Sequence, residues 1–346
     1  MGIRKALASQ RWAWIAGLTF VALLAVPVGT SGAVEVESDD DILIFVAHPD
    51  DDIITAAGVT MDHLDNGTGD VTIAFMTNGD RCESQSQVDA GRCSSLQPGI
   101  GTTRQVESVA AQGILGVSES DVIFLGYPNG FVDLVRFNNQ GAFPVLAHTE
   151  TYASHGLGGT DWHDYRMGGG SQHVAYPSST MAQDLLADVV ALVSTYRPDH
   201  IFTHTRWDRH EDHFSTYYML IDAVKVVQDS DPSYDPYIHT TLVHVKHADH
   251  INLWPATANP ATPVTEYVEL EGDSGGELVW DQRESFEVPA TMQTGYFSGT
   301  NEKAEAIEAH ASQVADGGYF IRRFAHQDEV FWVERVGEAE GIADSY

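Results

Sequence analysis

The sequence is short of positive charge, cysteine and long apolar runs, and each shortage removes a class of function. Of 346 residues, 18 are Lys or Arg against 50 Asp or Glu, a formal net charge of −32. Lysine occurs only at Lys5, Lys225, Lys246 and Lys303. A surface of this sign repels phosphate backbones and anionic lipid, which argues against nucleic acid or a membrane surface as a partner. It fits a solvated surface suited to salty surroundings. No stretch beyond residue 33 is long and apolar enough for a membrane-spanning helix, so no span is expected in the mature chain. Cys82 and Cys93 are the only cysteines, too few for a thiolate metal site.

Residues 1–33 have the form of an export signal. Arg4, Lys5 and Arg11 make a basic start, Trp14 to Val26 an apolar core, and Ser31-Gly32-Ala33 a small-residue cleavage site. The expectation is a soluble protein, secreted or periplasmic/extracellular, with 34–346 as the mature chain and a monomer or small homo-oligomer as its assembly. All 50 acids lie in that part with 15 of the bases, so its formal charge is −35. In an oxidising compartment Cys82 and Cys93 are expected to pair. Closing the polar loop between them stabilises by about 3 kcal/mol in the chain-entropy picture.

What the chain does contain is an alternation of strand and helix signals. Ile42–Ala47 is apolar at every position, the pattern of a strand covered on both faces. Further strand signals fall at Val71–Met76, Val122–Leu125, His200–Thr203 and Leu242–Lys246. Helical ones fall at Ile53–Leu64, Thr102–Leu115, Ser179–Tyr196, Phe214–Val227 and Glu302–Ala311. This order predicts an α/β fold in one domain: a Rossmann-like, doubly wound, mostly parallel sheet with helices on both faces. Residues 131–177 and 255–300 break the pattern and read as insertions, the second with the look of a β-rich edge. The first is a long loop expected over the site. Its Tyr152, Trp162 and Tyr165 are candidates for stacking on a sugar, and His155, His163 and His173 for touching one.

The chemistry concentrates at two strand ends. The first strand runs into His48-Pro49-Asp50-Asp51-Asp52, and the fourth into a cluster from His204 to His213. Ligands of open α/β sheets gather at the carboxyl ends of strands. His210 and His213 are one helical turn apart and share a face. Helix capping alone would account for the aspartates taken singly. Two such clusters, each just past a strand, point to a catalytic divalent metal with three protein ligands and an open position for water. His244, His247 and His250 read as half-exposed strand histidines, with a second metal site as the alternative.

Ala47-His48-Pro49-Asp50-Asp51 together with His210-x-x-His213 resembles the PIG-L/LmbE-like N-acetylglucosaminyl de-N-acetylase family. Thr77-Asn78-Gly79-Asp80, Arg104-x-x-Glu107, Gly126-Tyr127-Pro128-Asn129-Gly130, Arg197-Pro198-Asp199 and Lys303…His310-x-Ser312-Gln313 extend the likeness along most of the mature chain. The resemblance implies Zn2+ held by His48, Asp51 and His213, with Asp50 as general base. It implies that a protonated His210 stabilises the oxyanion or the leaving amine. Asp52, Asp80, Arg104 and Asn129 would contact the substrate, an N-acetylated sugar or glycoconjugate. The chain departs from the family in having Asp52 where Glu is common and Glu211 where Pro is common. The same residues allow a metal-dependent amidase or esterase acting on another acyl group. A carbohydrate-binding protein without turnover is a third possibility, and Asp50 argues against it.

The charge makes a prediction of its own. At 0.01 M salt the Debye length is about 30 Å and like charges across the molecule repel; at 1 M it is about 3 Å. The thermal midpoint of zinc-saturated protein should therefore rise between low and molar NaCl. A flat or falling midpoint would remove the salt-adapted reading of the surface.

Overall fold

A first strand buried at all five positions, β1 (Ile42–Val46), divides its side chains by parity in the computed structural model. The structure describes residues 34–83, 88–89, 93–127, 129–130, 132, 181–245, 257–265, 270, 274–298, 300–315 and 319–337. The expected export signal lies outside these residues, as do the six loop candidates Tyr152, His155, Trp162, His163, Tyr165 and His173, and His247 and His250. Ala33–Tyr346 form one compact unit. The elements in order are β1, α1 (Asp51–Asn66), β2 (Val71–Thr77), α2 (Ile100–Leu115), β3 (Val122–Tyr127), α3 (Met181–Tyr196), β4 (His200–His204), α4 (Glu211–Ser230) and β5 (Tyr237–Thr241). After these come β6 (Glu284–Glu287), α5 (Glu302–Ala309), α6 (Ala311–Ala315) and β7 (Asp328–Glu334), with short helical turns between.

Leu43 and Phe45 of β1 join Leu185 and Val189 of α3 and Leu220 and Val224 of α4 on one face of the sheet. Ile42, Ile44 and Val46 join Ala56 and Val59 of α1 on the other. Side chains that alternate across a strand thus feed two cores, which is why the run had to be apolar throughout. The seven strands stand in the order β3-β2-β1-β4-β5-β7-β6. β1 pairs in parallel with β2 and β4, and the pairs β2–β3 and β4–β5 are parallel too. β7 runs antiparallel to both β5 and β6. The expected mostly parallel, doubly wound α/β sheet is present, with an antiparallel edge.

The fifth strand sits earlier than the sequence pattern placed it, at Tyr237–Thr241 rather than Leu242–Lys246. Its polar residues are satisfied by neighbours remote in sequence: His239 Nε2 lies 2.8 Å from His200 Nδ1, and Thr240 donates to the Trp332 carbonyl. Strand β7 was not foreseen, because its acidic start, Asp328-Glu329, reads as loop. Those carboxylates are buried against other segments.

Glu329 explains a defect in α1. The helix is broken at Ala56 (φ −140°, ψ 25°), and the amides of Gly58 and Val59 just beyond donate to Glu329 Oε1 and Oε2 at 2.8 and 3.1 Å. An anion at such a restarted helix end is favoured by the exposed amides and the dipole. Lys303 Nζ, buried on α5, donates to Glu329 Oε1 at 2.6 Å. Gly58 is required by close approach, since a Cβ there would lie 2.5 Å from Val288 Cγ1. One of only four lysines therefore ties α1, α5 and β7 together. Removing it should be costly. Lys303→Ala leaves Glu329 buried without its counter-charge, and a loss of about 3–5 kcal/mol is expected in denaturant unfolding at constant slope. A loss below about 1 kcal/mol would show that the pair is not what holds these elements.

Candidate metal centre and active site

The carboxyl ends of the five parallel strands supply the site. His48 follows β1, and Asp50 and Asp51 open α1. Gly79 to Arg81 follow β2, Asn129 and Gly130 follow β3, His210 and His213 lie beyond β4, and His244 follows β5. Strand order reverses between β1 and β4, and the two histidine clusters flank that switch point, the usual crevice of open α/β sheets.

Three donor atoms meet there. His48 Nδ1 lies 3.1 Å from Asp51 Oδ2 and 3.1 Å from His213 Nε2, and His213 Nε2 lies 3.3 Å from Asp51 Oδ2. Tetrahedral ligands at 2.0–2.1 Å from a zinc ion sit about 3.3 Å apart, so this triangle has the spacing such an ion needs. A buried carboxylate stands behind each imidazole. Asp212 Oδ2 is 3.1 Å from His48 Nε2, and Asp208 Oδ2 is 3.2 Å from His213 Nδ1. Such carboxylates fix ring orientation and raise ligand basicity. Asp212 also accepts from the amides of Gly130 and Val132 at 2.5 and 3.0 Å, which ties the β3 loop to the centre.

The charges around the triangle suit a cation. Burial alone would raise the Asp51 carboxyl, yet the facing His213 and His204 hold it well below the usual range. Burial alone would lower His213, yet Asp51 and Asp208 hold it well above its ordinary value.

Two other groupings share these atoms, and hydrogen bonds decide against both. In Asp51, His204 and His213, the Nε2 of His204 already accepts the Ala47 amide at 3.0 Å. Burial pushes His204 down to about 4, and its neutral ring stacks on His213 at 3.8 Å. In His48, His210 and His213, His210 caps α4 by accepting the Asp212 amide at Nδ1 (3.2 Å). Its Nε2 lies 3.3 Å from the Arg81 guanidinium, a poor neighbour for a metal ion.

Asp50 sits at the start of α1 with φ 145°, a region costly for a residue with a side chain, and such strain gathers at functional sites. Arg104 holds it there: Nη2 donates to Asp50 Oδ1 and to the Pro49 carbonyl, both at 2.8 Å, and Nη1 to the Gly79 carbonyl at 3.2 Å. Gly79 (φ 67°) makes room, since a Cβ would lie 2.4 Å from that guanidinium. Burial raises the Asp50 carboxyl to about 6 against the pull of Arg104.

A cavity of about 260 Å³ opens over these groups, lined also by Arg81, Asn129, His244, Gln313 and Phe320. Of the residues expected to touch substrate, Arg104 and Asn129 line it, and Asp52 and Asp80 do not. Asp52 is fully buried, accepts from Gln112 at 2.5 Å, and is pushed by burial up to about 7. Asp80 lies beneath the loop and accepts the Asn129 amide at 3.4 Å. The expected protonated His210 also needs correction. Burial and the neighbouring His48 and His213 hold it well below its ordinary value, so it is neutral, with Nδ1 facing the Asp212 amide and Nε2 the Arg81 guanidinium. His244 is half-buried, and it lies beyond β5 rather than within the strand: it stacks on Phe320 at 4.9 Å and lies 5.0 Å from the His213 ring. Cys82 and Cys93 form a disulfide directly after Arg81, which donates to Glu211 at 2.9 Å across the rim. Asp208, Asp212, His204 and Arg81 were missed by the sequence reading. Asp212 beside His213 and Asp208 five residues before it were the available signal.

The model of the PIG-L family, described as GlcNAc-PI de-N-acetylase, matches residues 43–224, over half of the chain, and the chain belongs to that family. Among solved structures, the N,N'-diacetylchitobiose deacetylase from Pyrococcus horikoshii is 16% identical with a TM-score of 0.46, over 85% of this chain and 84% of that one. The A40926 pseudoaglycone deacetylase Dbv21 is 15% identical with a TM-score of 0.45, over 87% and 99%. The 4-carboxy-2-hydroxymuconate hydratase GalB from Pseudomonas putida KT2440 is 13% identical with a TM-score of 0.42, over 86% and 96%. No match is found among curated proteins.

The donor triangle and its supporting carboxylates separate in a metal titration. His48→Ala, Asp51→Ala and His213→Ala should each lose zinc on dialysis. Asp208→Asn and Asp212→Asn should keep a site weakened by about 10–100-fold in a competition assay. Full occupancy by elemental analysis in all three alanine variants would reject the triangle.

Proposed function

We propose that the protein is an exported zinc-dependent hydrolase that removes the N-acetyl group from an N-acetylglucosamine-type amino sugar or glycoconjugate. Family membership supports a de-N-acetylase. The observation that carries the chemistry is Asp50, a buried carboxylate outside the donor triangle, strained in its backbone and oriented by Arg104. A protein that only bound sugar would have no use for it.

His48, Asp51 and His213 would hold the zinc, which when bound supplies Lewis acidity and makes water easier to deprotonate. Asp50 accepts a proton from the water that attacks the acetamide carbonyl. Its carboxyl, raised by burial to about 6, is basic enough for this and still returns the proton near neutral pH. His210 and the Arg81 guanidinium beside its Nε2 line the cavity where negative charge builds on the carbonyl oxygen, and the guanidinium stabilises that charge without needing an acidic medium. Asp50 then protonates the departing nitrogen, the amide C–N bond breaks, and acetate and a free amine leave. Arg104 supports this from behind by fixing the Asp50 carboxylate.

Asp50→Asn is nearly isosteric. It should retain zinc while acetate release from N-acetylglucosamine or N,N'-diacetylchitobiose falls by roughly 10²-fold or more. Near-wild-type turnover would sink the role of Asp50. If the unaltered protein releases no acetate from any N-acetylated sugar but cleaves other amides or esters, the substrate assignment fails while the hydrolytic site stands.

A further inference from the structure

We propose that cleavage after Ala33 creates a second charged site, in which the new α-ammonium of Val34 is bound by Glu284 on the edge strand β6. The inference rests on the proposed export signal and is independent of the catalytic reading. A cavity of about 370 Å³, larger than the one over the candidate active site, is lined by Val34, Glu35, Asp62, His63 and Glu284 among others, with no Lys or Arg. His63 is 6% exposed, and its Nε2 is buried without a partner. Three carboxylates and an orphaned imidazole thus surround a space to which the described side chains bring no cation.

The Val34 nitrogen already donates to Glu284 Oε1. The other oxygen of that carboxylate is fixed from within the fold. Glu284 Oε2 lies 2.9 Å from His239 Nδ1, His239 Nε2 2.8 Å from His200 Nδ1, and His200 Nε2 3.0 Å from Asp40 Oδ2. Before processing, the nitrogen at residue 34 is a neutral amide with one proton. Hydrolysis by an export-linked peptidase adds water across the Ala33–Val34 bond. Ala33 leaves with a carboxylate, and Val34 keeps the nitrogen as an ammonium with three protons. The hydrogen bond to Glu284 becomes charge-assisted, the stronger kind. Processing therefore locks the first residues of the mature chain onto β6, an edge strand of the sheet.

The test uses the exported protein. Intact mass and amino-terminal sequencing should give Val34 as the first residue. Limited acylation read by peptide mass spectrometry, with Lys225 as internal reference, should label the Val34 amine about tenfold more slowly than in Glu284→Gln, because the ion pair keeps the amine protonated. A chain carrying Gly-Ser ahead of Val34 alters no side chain of the fold. It should unfold at a lower temperature than the Val34 form, and Glu284→Gln should abolish that difference. Zinc content and turnover should be unchanged in both variants. A different first residue, equal labelling with and without Glu284, or an extension that leaves the midpoint unmoved would each overturn the proposal.

Discussion

The Asp51 carboxylate is buried where three imidazoles converge, and the centre is organised around paying for that burial. Its Oδ2 lies within 3.1–3.4 Å of His48, His213 and His204 and accepts the His48 amide at 2.8 Å. An unpaired ion in a protein interior costs several kcal/mol. Asp208 and Asp212 add two more carboxylates just behind, in a chain already far from neutrality. Imidazoles offset this only by holding protons, whereas a divalent cation at the donor triangle would offset it while leaving both histidines neutral. A metal bound at this triangle would therefore couple to the stability of this region, as in other sites whose ligands must lose protons to bind.

The scaffold delivers these groups through a few buried polar ties. Arg104 reaches from α2 beneath the β2 loop to Asp50, and Gly79 leaves the gap it passes through. Asp212 gathers the β3 loop, and Asp208 takes the amides of Val243 and His244 beyond β5 at 2.8 and 2.9 Å. The ties join the loops of β1 and β2, of β4 and β5, and, across the sheet, of β3 and β4, so the five loops are braced against one another. The break in α1 at Ala56 lies one turn below the site and is filled by Glu329 and Lys303 from the far end of the chain. Helix α1 near the start of the fold is thus tied to the buried ion pair of α5 and β7 at its end.

Much of this was legible from local pattern. β1 announced itself because a strand covered on both faces must be apolar throughout. His48, Asp50, Asp51 and His213 stood out because each cluster follows such a strand directly. Asp52 misled, since its spacing beside Asp50 and Asp51 says nothing of its direction. At the start of a helix, successive residues point to different sides, and this one turns inward to Gln112. His210 was found, but its charge was not, because that depends on which rings and which arginine surround it. β5 and β7 were misplaced or unseen because their polar residues are balanced only by partners from other strands.

The sequence by itself determined the alternation of strand and helix, the acidity of the surface, and which short segments carry imidazole and carboxylate. These follow from residue type and from spacing within one element, where backbone geometry leaves few choices. Tertiary structure alone decided which of the clustered histidines share a point in space, which aspartate stays outside the metal triangle, and which carboxylates stand behind the ligands. Donor atoms meet at 3.1–3.3 Å between groups up to 165 residues apart, and that distance is set by how β1 and β4 pair. Protonation follows the same rule: burial and neighbouring charge, not residue identity, keep His210 neutral and hold Asp50 near the range where a base can both take and return a proton.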